Sequence, residues 1–154
     1  MGSAVTDPIR QYLDFLLDHQ RWQTNGGKTP AGFMIEYGRD FAFGPDSFKG
    51  RRMRMKNCYG NSAHRALGNP AVTYVEGYCL TMFPIEHAWL VSNETGRVID
   101  PTLRGDRVQA YFGVPIKHRY LCETLLRNKV YGVLDWWNWK QVLADDPADI
   151  VAML

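Results

Sequence analysis

The chain has 154 residues, with 45% hydrophobic and 22% charged side chains, proportions of an ordinary folded domain that exclude a disordered or low-complexity chain. A formal charge of +2 gives no electrostatic case for nucleic acid or an anionic membrane surface, and no apolar run approaches the length of a membrane span. Three cysteines without paired or zinc-type spacing argue against a disulfide framework and for free thiols in a reducing, cytoplasmic setting.

A single domain over residues 1–154 is expected, able to bury roughly 70% of the surface of its unfolded chain. The N-terminus lacks the charged-then-apolar order of a secretion signal. Thr6-Asp7-Pro8 predicts a helix start, with Asp7 as cap and Pro8 in the first helical position. Ile9, Tyr12, Leu13, Leu16 and Leu17 then recur at three- and four-residue spacing as one apolar stripe, and Asn25-Gly26-Gly27 stops it.

From Lys28 to Gly50, glycine, proline and aromatic residues interleave. Irregular structure is expected there, with short strands around Phe33 to Tyr37 and Phe41 to Phe43. Extended backbone over Arg51 to Lys56 would place Arg52, Arg54 and Lys56 on one face and Met53 and Met55 on the other. That segment reads as a solvated strand edge, since no aromatic stacking platform for nucleic acid is interleaved.

The stretch NCYGNSAHRALGNP predicts a second helix, with Asn57 as cap and Gly68-Asn69-Pro70 as stop. Cys58 then falls in the first turn, where unpaired backbone N–H groups and the helix dipole favour a thiolate. Ala71 to Leu80, Ile85 to Val91 and Arg97 to Asp100 follow as an antiparallel meander. Tyr111 to His118 reads as a loop punctuated by Gly113 and Pro115, with a helix around Tyr120 to Arg127 after it. Asp135 is the expected cap of a helix carrying Trp136, Trp137, Trp139, Val142 and Leu143 as core, and Asp146-Pro147 repeats the start signal of the first helix.

Within the meander, His87, Trp89 and Val91 share one strand face. If Asn93 to Gly96 forms a four-residue loop, Ser92 pairs with Arg97 and Trp89 with Asp100, which leaves His87 diagonal to Asp100 on the same face at about 7 to 8 Å between backbones. A three-residue loop would put the two on opposite faces, and Glu76 or Glu86 would then be the carboxylate available to the imidazole. Cys58 is the thiol best placed to meet this histidine, because Cys79 lies in a predicted strand and Cys122 in a predicted helix, ordinary settings for a small buried hydrophobe. The chemistry such a trio performs is nucleophilic. The thiolate attacks a carbonyl, the imidazole moves protons and the carboxylate fixes the ring. The Cys58 backbone N–H would supply one oxyanion donor, with Asn57, Asn61 and Trp89 as candidates for a second. His19, His64 and His118 read as ordinary surface or core histidines.

The order NCYGNSAHRAL, VEGYCL, EHAWLV and GRVIDPT, from Asn57 to Thr102, resembles the core of the transglutaminase-like cysteine enzymes, a branch of the papain-like fold. The resemblance implies an α+β domain with the nucleophile helix packed on an antiparallel meander and flanking helices at both ends. It also implies a Cys58, His87 and Asp100 triad, with Gly77-Tyr78 matching the glycine-tyrosine of the intervening strand. Where that pattern carries an arginine shortly before this dipeptide, the chain has Tyr74-Val75-Glu76, and calcium-binding additions are missing. A compact hydrolase or modifying enzyme acting on a protein or a small amide or thioester is therefore expected, rather than a large crosslinking enzyme. No cofactor, no metal, no nucleic acid and no membrane partner are expected. The alternative is an inactive binding or inhibitory module on the same fold, and a metal site built from His87 and Asp100 is weaker because no two-histidine or paired-cysteine motif accompanies them.

Overall fold

Alternating apolar residues in the middle of the chain are realised as a five-stranded antiparallel sheet. The computed structural model describes residues 7–24, 27–42, 56–134 and 139–154. In chain order the elements are α1 (Asp7–Thr24), α2 (Pro30–Tyr37), β1 (Arg39–Phe41), α3 (Cys58–Leu67), β2 (Val72–Leu80), β3 (Pro84–Ser92), β4 (Val98–Ile99), a 3-10 turn (Gly105–Arg107), β5 (Ala110–Ile116), α4 (His118–Asn128), α5 (Trp139–Ala144) and α6 (Pro147–Ile150). The architecture is mixed α+β, the sheet a half-barrel in the order β1-β5-β2-β3-β4. No described helix is long and apolar enough to cross a membrane.

Period-two alternation divides the core in two. Tyr74, Tyr78 and Leu80 of β2, Ala88 and Leu90 of β3, and Phe112, Val114 and Ile116 of β5 face the helices, where Ile9 and Leu13 of α1, Phe33 and Met34 of α2, Ala63 and Ala66 of α3, and Leu121 of α4 cover them. The intervening residues Val75, Cys79, Trp89, Val91 and Tyr111 form a second cluster with Phe41, Val98 and Val108. Along α1 the expected stripe divides by depth: Ile9 and Leu13 are fully buried, Leu16 and Leu17 flank the core, and Tyr12 packs edge-on against Tyr78.

Two expectations are corrected. Residues 33–37 belong to a helix, because Thr29 accepts from the Gly32 N–H as an N-cap and Pro30 occupies the first turn, a start signal that outweighs the local glycines. Tyr111 to Ile116 belongs to β5, paired with β2 along its length and with β1 at Tyr111 to Gly113. Gly113 sits directly opposite Gly77, and a Cβ there would lie 2.8 Å from Trp89 Cη2 and 2.6 Å from the Glu76 carbonyl. The glycine marks a close strand approach, not a turn. Pro115 is tolerated because its carbonyl accepts from Ala152 N, on the side away from β2 that its missing N–H would also face. There the C-terminal segment crosses the strand, with Lys117 N donating to the Ile150 carbonyl and Val151 bridging Ile116.

The first β1 residue is Arg39, so the strand expected around Phe41 to Phe43 begins earlier, and Phe43 lies outside the described residues. So do Arg51 to Met55 and Asp135 to Trp137, with the readings made for them. Of the expected tryptophan helix, α5 retains Trp139 beside the buried Val142 and Leu143. Asp146 caps α6 through the Ala148 N–H.

Candidate active site

The turn after β3 decides the site's geometry. Ser92 N donates to the Arg97 carbonyl at 2.9 Å and Gly96 adopts a positive φ of 69°, so the loop holds the four residues Asn93 to Gly96. The register that follows, Val91 opposite Val98 and Leu90 opposite Ile99, carries Asp100 onto the face of His87. Their side chains meet, with Nε2 of His87 at 2.7 Å from Oδ2 of Asp100, and both residues are buried.

Asp100 is saturated with donors. Oδ1 accepts from the backbone N–H groups of Thr102 and Leu103, each at 2.9 Å, and Oδ2 accepts from the Tyr111 hydroxyl at 2.9 Å as well as from the imidazole. Burial alone would raise this carboxyl's pKa; the hydrogen bond and charge of His87, with the two N–H groups, reverse that and hold it below the ordinary value. For His87, burial favours the neutral ring, but hydrogen bonds to Asp100 and to Cys58 and the charges of both outweigh it, and the pKa is pushed up to about 9. Because Nε2 is committed to Asp100, Nδ1 is the ring nitrogen left for the thiol. The raised value favours the protonated form of a ring that has a carboxylate and a cysteine as neighbours.

Cys58 interacts with that ring from the start of α3. It is the first residue of α3, whose opening turn is closed by Asn61 N donating to the Asn57 carbonyl at 2.8 Å. Farther along α3, Ser62 Oγ donates to the Ala88 carbonyl at 3.0 Å, which pins the helix to β3 one residue beyond His87. The half-buried Cys58 thus combines a fixed backbone, partial access and the first-turn position where backbone N–H groups have no helical partner.

The three residues considered as oxyanion donors differ in what their N–H groups meet. Asn57 Nδ2 faces Asn61 Oδ1 at 3.4 Å, and Asn61 Nδ2 donates to Thr102 Oγ1 at 2.9 Å. Trp89 is fully buried in the second core cluster, its ring stacked 6.0 Å from that of His87, and its indole N–H has no acceptor among the described residues. Glu76 is also buried, but on the helical side, where its carboxylate accepts from Val133 N at 2.7 Å and Leu134 N at 3.2 Å. Glu86 is exposed and receives the Tyr78 hydroxyl at 3.4 Å. A cavity of about 60 Å³ lies beside α3 and β2, lined by Tyr59, Glu76, Gly77, Tyr78, Glu86 and Leu134 among others. Gly77 stands opposite His87 in the register, but none of Cys58, His87 and Asp100 lines this cavity.

The remaining thiols differ in setting. Cys79 is fully buried, and burial, then Asp100 and Cys58, push its thiol far up. Cys122 lies one turn from His118 on α4, with sulfur and Nε2 3.6 Å apart. His19, His64 and His118 are exposed. Among the described residues no group of three or more His, Cys, Asp or Glu side chains is arranged to hold a metal ion.

Sequence reasoning missed Tyr111, Ser62 and the clamp role of Glu76. Thr102 was missed as well, although the Asp-Pro-Thr turn carried its signal, since an aspartate accepting from the N–H two residues on is a recurrent device. Comparison with models of known families, with curated proteins and with solved structures finds no match to this chain.

Proposed function

We propose that the chain is a cysteine-dependent acyl-transfer or amide-hydrolysing enzyme with a Cys58, His87 and Asp100 triad, organised as in the transglutaminase-like branch of the papain-like fold that its central segment resembles. The observation that carries this reading is the buried 2.7 Å contact between His87 Nε2 and Asp100 Oδ2 on a ring that also hydrogen-bonds Cys58. A structural histidine needs one partner; this one is held by a carboxylate at Nε2 and also interacts with a half-buried thiol, which supports the reading.

The steps follow from the donors present. Cys58 Sγ forms a bond to the carbonyl carbon of an amide or thioester, and the developing oxyanion is met by backbone N–H groups at the start of α3. The carbon to leaving-group bond breaks as His87 passes its proton to the departing amine or thiol. Water or an amine then attacks the thioester, His87 takes the attacker's proton, and the carbon to sulfur bond breaks to restore the thiolate and imidazolium. Asp100 keeps the ring oriented throughout. Three free cysteines suit a reducing compartment, and a protein or small amide or thioester is the substrate class.

The test is alkylation by iodoacetamide as a function of pH, with the modified cysteine located by peptide mass. Cys58 should react at pH 6 about tenfold faster than Cys122 in the same chain, and His87→Ala should abolish the difference. Equal rates at the two cysteines would overturn the reading.

A further inference from the structure

Asp100 carries a donor beyond those that orient a catalytic histidine. The Tyr111 hydroxyl reaches Oδ2 from β5, two strands away from β3 in the sheet, and shares that oxygen with His87 Nε2, at 2.9 and 2.7 Å. We infer that Tyr111 is a positioning residue for the proposed triad, which fixes the plane of the Asp100 carboxylate and sets the pH at which His87 releases its proton. The inference rests on the reading of that trio as a thiol site.

Two features support it. Oδ1 is pinned by two backbone N–H groups, so one further hydrogen bond at Oδ2 removes the remaining rotation of the carboxylate and aims its lone pair at Nε2. Tyr111 can hold that bond firmly because it is itself buried, set by the Cys79 register of β5 on β2, with its ring 4.9 Å from Trp89 and 6.4 Å from His87. The phenol also draws electron density from the oxygen that faces the imidazolium. Removing it leaves the carboxylate a stronger acceptor for His87, which favours the protonated ring.

Among the described residues, titratable groups facing this centre include Cys58 from α3, Cys79 from β2, His87 on β3, Asp100 after β4 and Tyr111 from β5. Burial keeps Cys79 protonated through the neutral range, and Asp100 stays ionised there. A change at Tyr111 is therefore read out on the Cys58 and His87 pair.

Tyr111→Phe keeps the ring and removes the donor. The His87 ring would be followed by proton NMR from pH 5 to 10, with Cys58 alkylation by iodoacetamide measured over the same range. The expected result is an upward shift of the His87 titration by about half to one pH unit, a fraction of the roughly one to two units that a hydrogen bond to a charged group is worth, because His87 feels the phenol only through the shared carboxylate oxygen, with the upper inflection of the alkylation profile moving the same way. Placing 3-fluorotyrosine at position 111, a stronger donor in nearly the same shape, should shift both downward and keeps the question open to measurement if Tyr111→Phe does not fold. Superimposable His87 titrations in the folded protein and either variant would overturn the inference. Failure of the underlying reading has a different signature: in the unsubstituted protein, Cys58 would alkylate no faster than Cys122 whatever stands at position 111.

Discussion

The Asn61 amide donates to Thr102 Oγ1 at 2.9 Å, and Thr102 N in turn donates to Asp100 Oδ1 at 2.9 Å. Two side chains 41 residues apart in the chain thus join the helix that starts at Cys58 to the turn that presents Asp100. Thr102→Val keeps the shape of the side chain and removes the acceptor. It should lower stability by about 1 kcal/mol and slow Cys58 alkylation at pH 6, as the two halves of the site lose their fixed separation. Urea denaturation and alkylation rates measure these, and an unchanged rate would show that the link does not hold the site.

Glu76 accepts from the backbone at both Val133 and Leu134 while buried beneath them. Glu76→Gln presents an amide N–H where a backbone N–H needs an acceptor, at a cost of about 2 kcal/mol, which corresponds to a melting temperature lower by roughly 4 to 8 °C for a chain of this size. Hydrogen exchange at Val133 and Leu134 should accelerate more than exchange in β3. Equal acceleration in both places would mean that Glu76 supports the fold as a whole and not this segment.

Gly113→Ala tests the close approach of β2 and β5. The added methyl meets the Glu76 carbonyl at 2.6 Å and Trp89 at 2.8 Å, and neither backbone nor a buried indole yields readily, so a loss of at least about 2 kcal/mol is expected. Gly68→Ala, where a Cβ meets nothing within 4 Å, should stay within about 0.5 kcal/mol of the parent. Comparable midpoints in denaturant for the two variants would contradict this.

Stability should depend on pH in two windows. His87 has its pKa raised from 6.5 to about 9 on folding, so its contribution is complete below pH 6.5 and disappears as pH climbs through about 9. Asp100 has its pKa lowered from 3.8, so its contribution is present above that value and is lost as pH falls below it. Urea midpoints should therefore decline between pH 7 and 9.5 in the parent and change less in Asp100→Asn, which removes the charge that holds the proton on His87. Parallel curves would argue that the pair does not govern this range.

What the sequence disclosed about this site was its local part. Asn93 to Gly96 is a short loop whose glycine supplies the left-handed residue, and that loop sets the β3 and β4 register, so residues 87–100 narrowed the relation of His87 and Asp100 to two outcomes that differ by one residue of loop length. The helix start at Cys58 was equally local. Tyr111 was not, because the bond it makes depends on β5 lying two strands from β3, and Gly113 and Pro115 disguise that strand as a loop. Their strand roles come from Gly77 and Ala152, partners 36 and 37 residues away in sequence. The α2 helix was obscured in the same way: glycine-rich surroundings drew attention from Thr29-Pro30, a cap that needs no distant partner.

The crossing of the C-terminal segment over β5 bears on how molecules of this protein meet one another. Beyond Gly113, β1 no longer covers that strand, and an uncovered border of backbone groups invites a second molecule to add a strand. Val151 and Ala152 occupy the vacancy while Pro115 withholds a donor from it. The stretch of β5 that β1 leaves bare is thereby paired within the chain itself.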